Sequence, residues 1–357
     1  MPDEVKVLIG NKEIAHFISY QVGSDLFEAA DSFSLELANP NFGNLEKEIQ
    51  AGLQCQLYVN KVLELTGIVD RVSETYSKSS HTITVEGRDL MGLIVDSYVE
   101  NEFKTKENAS IQDLAEELLK SVPFIDRSKI IYGTGSKDRA VPVREEKETL
   151  LSEKKDFIQI EPGRTVFEAL KEYALAAGLL FFNLPDGTFV FGEPVTRGRA
   201  IFNLVCRIDG RGNNVLECTR TRDISQQYSK VRVIGQQQDS VFGVGDVNKS
   251  GEALNEDFPF AKPYVLESES VSAKPENQAK LIMNKQNFEG FTLECKVKGH
   301  SQRGRNLQTN TIAHLKHEGL KPPVDKDYLV YARTFERSKQ DGTTTTLRLS
   351  ELGILPA

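Results

Sequence analysis

The chain has 357 residues, 39% hydrophobic and 27% charged, with a formal net charge of -8. That composition supports packed cores, and its acidity argues against a protein that grips nucleic acid by neutralising phosphates. No apolar run reaches the roughly 18 to 20 residues of a membrane span, and "MPDEVKVLIG" runs from acids straight into a strand. No secretory leader is therefore expected, and the chain is expected to be assembled in a cytoplasm.

Length alone suggests two to four domains. Residues 1 to about 98 read as mostly strands. "KVLIG" and "KEIAHFISYQVGSDL" flank a hairpin type of turn at Gly10 and Asn11, and "DSFSLELAN" alternates with Phe33, Leu35 and Leu37 on one face. "LQCQLYVN", "VLELTGIVDRVSETYS" and "HTITVEG" follow. Strands this short, with turn signals this dense, predict a small barrel or sandwich.

Residues 99 to about 195 predict an α+β module. Ser110 and Asp113 make a capping-box pattern ahead of a stripe of Ile111, Leu114, Ala115 and Leu118. Thr165 and Glu168 repeat it ahead of Val166, Leu170, Tyr173, Ala174 and Ala177, with Gly178 as C-cap. Asp186 and Gly187 then mark a hairpin turn. The polar stretch 133 to 156 reads as a long loop. Strands return from about 196, a Gly-, Asp- and Pro-rich stretch interrupts at 239 to 263, and a helix is expected near 275 to 288. The predicted domains are 1-98, 99-195, 196-237 together with 300-357, and an inserted module at 238-299.

One internal similarity stands out. "LTGIVDRVSETYSKSSHTITVEGRDL" (65 to 90) and "YLVYARTFERSKQDGTTTTLRLSEL" (328 to 352) share a plan. Each has a strand with an Arg near its middle, a polar turn and a Thr-rich returning strand.

Catalytic templates are missing. There is no H-E-x-x-H, no Walker A and no G-x-S-x-G, and the glycines of "FGVGDVNKSG" do not make a dinucleotide fingerprint. His314 and His317 would share one face only on a helix, and no carboxylate or Cys lies at a ligand spacing from them. Asp89 with Asp96, or Glu86 with Asp89, are the acid pairs on offer. Cys55, Cys206, Cys218 and Cys295 form no C-x-x-C and read as buried thiols. No cofactor and no metal is expected. Lys296, Lys298, Arg303 and Arg305 in "KVKGHSQRGR" form the densest basic patch, a candidate interface for an acidic partner.

Three motifs in order carry a resemblance. "VDRVSETY" followed by "HTITVEGRDLMGLIVDS" holds a strand that ends in Gly87, Arg88, Asp89 and Leu90, then an apolar run closing at Asp96. "FIQIEPGRTVFEALKEYALAAGLLFFNLPDGTFVF" and "VKGHSQRGRNLQTNT" with "DYLVYARTFERSKQDGTTTTLRLS" come later. The chain resembles the baseplate-hub proteins of contractile-tailed bacteriophages, the Mu-like hub and late control protein D family. Relatives often carry a Trp where this chain has Gly299-His300 and Leu307-Gln308.

The resemblance implies a mostly β, α+β chain with two small barrels of the tail-tube fold, forming a ring-shaped homotrimer. The implied partners are the tail tube protein, the central spike protein and other baseplate proteins, with DNA passing through without specific binding. It implies a virion protein of a Mu-like phage or prophage, assembled in the bacterial cytoplasm and not an enzyme. The chain ends with no spike or lysozyme-like extension, so the spike is expected to be a separate chain. Gly87, Arg88 and Asp89 are then a structural turn, with Gly87 supplying a backbone conformation closed to other residues. The competing classes are a tail-associated cell-wall hydrolase and a carbohydrate-binding receptor module; the latter usually shows surface aromatics, Trp included, and this chain has no Trp.

Overall fold

The computed structural model describes residues 3–38, 49–78, 80–99, 108–126, 129–132, 151–154, 160, 163–176, 179–235, 250–267 and 275–353. Most of the expected loop at 133 to 156, the first part of the 239 to 263 stretch, and Ala177 and Gly178 lie outside these residues.

The first half holds β1 (Val5–Ile9), β2 (Lys12–Ile14), β3 (Ser19–Asp25), β4 (Ser32–Ala38), β5 (Gln54–Val59), β6 (Val62–Tyr76), β7 (His81–Asp89), α1 (Met91–Asp96), α2 (Ile111–Leu118), β8 (Ile131–Tyr132), α3 (Val166–Ala176), β9 (Leu180–Asn183) and β10 (Phe189–Gly192). Then come β11 (Phe202–Cys206), β12 (Val215–Arg222), β13 (Lys230–Ile234), β14 (Ser250–Leu254), β15 (Pro263–Glu267), α4 (Pro275–Glu289), β16 (Phe291–Lys298), β17 (Ser301–Gln302), β18 (Arg305–Asn306), β19 (Thr311–His317), β20 (Val324–Ser338) and β21 (Gly342–Ser350). The fold is α+β and mostly β, as expected.

One sheet of 13 strands dominates, in the order β12-β16-β21-β20-β3-β4-β7-β6-β5-β1-β2, with β19 beside β20 and β11 beside β19. Among the described residues its two ends do not pair with each other. Alternation explains the strands. Phe33, Leu35 and Leu37 of β4 are buried while their neighbours are not, which is what a strand with one covered face requires. β16 lies within the stretch expected as an insert, yet it pairs with β12 and β21 in the main sheet.

The chain divides into two compact units, Met1–Cys218 with Cys295–Leu349, and Thr219–Glu294 with Ser350–Ala357. In the first, both capping boxes form. Ser110 Oγ accepts from Asp113 N at 3.1 Å while Ser110 N donates to Asp113 Oδ2 at 2.9 Å; Thr165 and Glu168 exchange the same bonds at 3.1 and 2.9 Å. The stripes then bury Leu114, Ala115 and Leu118 against Leu170 and Ala174, together with Ile94 of α1 and the stacked rings of Phe181, Phe189 and Phe191. Gly187 turns the β9–β10 hairpin at φ +83°, a conformation only glycine takes without cost. In the second unit, Ala279 and Met283 of α4 cover Val231 and Val233 of the β14-β13-β15 sheet.

Candidate functional site

Gly87, Arg88 and Asp89 are the last three residues of β7 and not a turn. The chain leaves the strand only at Leu90, where α1 begins. Gly87 keeps ordinary strand backbone, because its φ lies outside the left-handed region. Close approach is what demands a glycine here. A Cβ would lie 2.3 Å from the Ile68 carbonyl oxygen and 2.5 Å from Cζ of Phe33, its cross-strand partner on β4. The expected strained corner is therefore corrected to a packing contact.

Alternation sends Arg88 outward and Asp89 inward. Arg88 donates from Nε to Asp70 of β6 at 2.7 Å and from Nη2 to Asp96, the last residue of α1, at 2.5 Å. The guanidinium holds Asp96 below the usual carboxylate range. Asp89 is buried and accepts from the backbone N–H groups of Met91 at 3.0 Å and Asp31 at 3.1 Å. The pair thus ties the sheet to the first turn and the end of α1.

The sequence's acid pairs do not meet. Asp96 is engaged by Arg88 on the outer side while Asp89 points inward, and Glu86 is ion-paired with Arg71. Asp89 instead joins Asp31, which accepts from the Asp25 backbone N–H at 2.9 Å. These acids border a cleft of about 290 Å³ that Arg199 and Arg305 also line. Burial raises Asp25 and Asp89 above the usual carboxylate range and brings Asp31 up to about 6.

His300 was not legible as a core residue. It is fully buried. Thr345 Oγ1 donates to the Gly299 carbonyl at 2.6 Å, so it accepts from His300 Nδ1 at 3.0 Å, and Nε2 is left to accept from Tyr20 Oη at 2.8 Å. That is a neutral tautomer. The ring lies 4.5 Å from that of Phe335, and burial holds its pKa down to about 4.

The buried acids and this histidine pull stability in opposite directions with pH. A carboxyl raised on folding adds stability below its unfolded value, and that stability is lost as pH rises through the folded value. A histidine lowered on folding adds stability above its unfolded value, and that stability is lost as pH falls toward the folded value. Between about pH 4 and 6.5 the two partly cancel. Asp31→Asn is expected to make denaturant stability fall more steeply on acidification through this window, and His300→Asn to make it fall less steeply. Parallel curves for wild type and both variants would contradict these assignments.

Lys296 of β16 is ion-paired to Asp341 at 2.8 Å. Lys298 is exposed at the end of that strand, Arg303 turns the β17–β18 hairpin at φ +54°, and Arg305 lines the cleft. His314 and His317 sit on strand β19, where residues three apart face opposite ways. His314 contacts Asp327 at 2.7 Å and Asp325 at 2.9 Å. Among the described residues no group of three His, Cys, Asp or Glu is placed to hold a metal, and no helix is long and apolar enough to cross a membrane.

Comparison with solved structures shows which proteins share the fold. A tail protein from Neisseria meningitidis superposes with a TM-score of 0.81 at 24% identity, covering 100% of this chain and 98% of that one. The 43 kDa tail protein of prophage MuSo2 from Shewanella oneidensis gives 0.79 at 20% identity, covering 98% of each chain. An E. coli component of the type VI secretion system, described as structurally similar to T4 bacteriophage tail proteins gp27 and gp5, gives 0.57 at 9% identity over 97% of this chain and 76% of that one. The fold is that of phage tail proteins. Residues 4–89 match the family of Mu phage baseplate assembly protein GpP-like, N-terminal, in line with the resemblance read from the motifs, and the match spans the first seven strands. No curated protein matches the chain.

Proposed function

We propose that the protein is the structural baseplate hub of a Mu-like phage or prophage tail, acting by assembly and not by catalysis. Three copies form a ring that joins the hexameric tail tube to the trimeric central spike and leaves a channel for DNA. The observation that carries this reading is a repeated strand order. The first strand set runs β3-β4-β7-β6-β5-β1, and the second runs β12-β16-β21-β20-β19-β11. Their long hairpins match in length, with 15 residues in β6 and in β20 and 9 in β7 and in β21.

Each set is one tube-like unit. Two units per chain and three chains give the six-unit face that a hexameric tube needs, over a threefold face for the spike. The first unit is 1–98 and the second combines 196–237 with 300–357, to which β16 contributes its strand. One departure is that β1 runs antiparallel to β5 whereas β11 runs parallel to β19. The net charge of -8 suits a lining that lets DNA slide past without holding it.

Sedimentation equilibrium tests the stoichiometry. The expected mass is three times the 39.9 kDa of one chain. A monomer at every concentration would contradict the hub.

A further inference from the structure

Two cysteines meet on neighbouring strands. β12 and β16 lie side by side in the large sheet. They run antiparallel, since Asp223 N donates to the Gly290 carbonyl at 2.8 Å beyond one end of the ladder and Lys298 N donates to the Asn214 carbonyl at 3.3 Å at the other. Stepping back from Asp223 and forward from Gly290 in register brings Cys218 opposite Cys295, and their sulfur atoms lie 2.6 Å apart. Opposed residues on antiparallel strands have Cα atoms about 4.5–5.5 Å apart, inside the usual range for a disulfide. The other two cysteines are placed differently. Cys55 faces Ile9 on one strand and Gly67 on another, and Cys206 faces His317. Neither meets a sulfur across these ladders.

The position of the pair in the chain is specific. The first unit breaks off at Cys218 and resumes at Cys295, so the chain leaves that unit at one thiol and re-enters it at the other. The two residues are 77 positions apart in sequence, and β13, β14, β15 and α4 all lie between them. A bond here closes that whole segment into a loop. Cross-linking residues so far apart removes much of the freedom of the unfolded chain.

We infer that Cys218 and Cys295 are a redox-responsive dithiol, which a small-molecule disulfide of the glutathione class oxidises to a cross-strand bond that staples the chain where it leaves and re-enters the first unit. Exposure sets the order of events. Cys295 is 0% exposed while Cys218 is half-buried, and a thiolate reacts only where the oxidant can reach it. The Cys218 thiolate attacks oxidised glutathione and forms a mixed disulfide, releasing one glutathione. The Cys295 thiolate then attacks the Cys218 sulfur and releases the second. The glutathione sulfur–sulfur bond and two S–H bonds are broken and one protein disulfide is formed. Both protons and both electrons end on the two glutathione thiols. The bond lies within one chain and is independent of how many chains assemble.

The test uses the full-length chain, first reduced and then exchanged into oxidised glutathione. The intact mass of wild type is expected to fall by two hydrogens with no adduct retained. A non-reducing peptide map is expected to join the Cys218 peptide to the Cys295 peptide, with Cys55 and Cys206 still open to alkylation after unfolding. Two single variants separate the roles. Cys295→Ser is expected to hold one glutathione on Cys218, because nothing displaces it, and Cys218→Ser is expected to take up none. The oxidised wild type is expected to melt about 5 °C or more above the reduced protein, a difference absent from Cys218→Ser. Four alkylatable thiols in the oxidised wild type, a glutathione retained on Cys218 beside an unreacted Cys295, or a link from Cys218 to a second chain would each overturn the pair. Equal melting midpoints with the bond formed would overturn its role as a staple.

Discussion

Replacing Arg333 by methionine is expected to cost about 3–5 kcal/mol of stability, the usual range for removing one partner of a buried ion pair. Arg333 and Glu64 side chains are 3% and 1% exposed, and Arg333 Nη2 donates to Glu64 Oε2 at 3.0 Å. The guanidinium also lies 3.8 Å from the centre of the Phe335 ring. Asn306 completes the site, donating from Nδ2 to Glu64 and to the Val59 carbonyl, both at 2.8 Å. Without Arg333 the Glu64 carboxylate stays buried, with the Asn306 amide as its remaining side-chain partner among the described residues. Removing both charges, as Arg333→Met with Glu64→Leu, is expected to recover most of the loss, because neither residue then leaves an uncompensated charge. Chemical denaturation of the two single variants and the double variant measures the coupling. A loss below about 1 kcal/mol for the single arginine variant, the scale of an exposed ion pair, would show that the pair is not buried as described. The site joins β6 to β20, so it fastens the two strand sets of one chain together.

Gly87→Val is expected to be the other severe substitution, at about 3 kcal/mol or more, the upper end for overpacking a close-packed core. The cause is contact and not backbone conformation. Its Cβ would meet the Ile68 carbonyl oxygen at 2.3 Å and the Phe33 ring at 2.5 and 2.7 Å. The ring can turn, but the carbonyl belongs to the β6–β7 ladder and cannot move without breaking it. Gly87→Ala with Phe33→Leu should therefore recover only part of the loss. Gly23 on β3 is the control, since its nearest contacts to an added Cβ are at 3.8 Å; Gly23→Ala should shift the midpoint little. Equal midpoints for Gly87→Val and wild type would contradict the contact.

Local signals were legible where one stretch of sequence decides them. Both capping boxes, the apolar stripes behind them, the Gly10 and Asp186-Gly187 turns and the helix opening at Pro275 follow from residues a few positions apart. Burial of Cys55 and Cys295 follows from strand alternation, whereas Cys206 and Cys218, also read as buried, are only half-buried. Long-range pairing was less legible, because a strand's period says which face is covered and not which strand lies beside it. Gly87 shows the difference. Its place near a strand end was visible, but its need for glycine is set by Phe33 and Ile68, residues on two other strands. The ion pair of Lys296 is of the same kind, since Asp341, which holds it, lies 45 positions away. His300 is buried by Tyr20, Thr345 and Phe335, all distant in sequence. The one long-range signal the sequence did carry was the likeness of the two hairpins, and it marks the strands on which the repeated order is built.

The central claim is that each chain supplies two equivalent units to one ring. An electron cryomicroscopy reconstruction of the purified assembly, computed without imposed symmetry and viewed down its axis, tests it most directly. The account predicts three chains, with β3 to β7 and β12 to β21 densities alternating at a common radius as six similar sheets around an open channel. Two strand sets at different radii, or an assembly without a threefold axis, would contradict it.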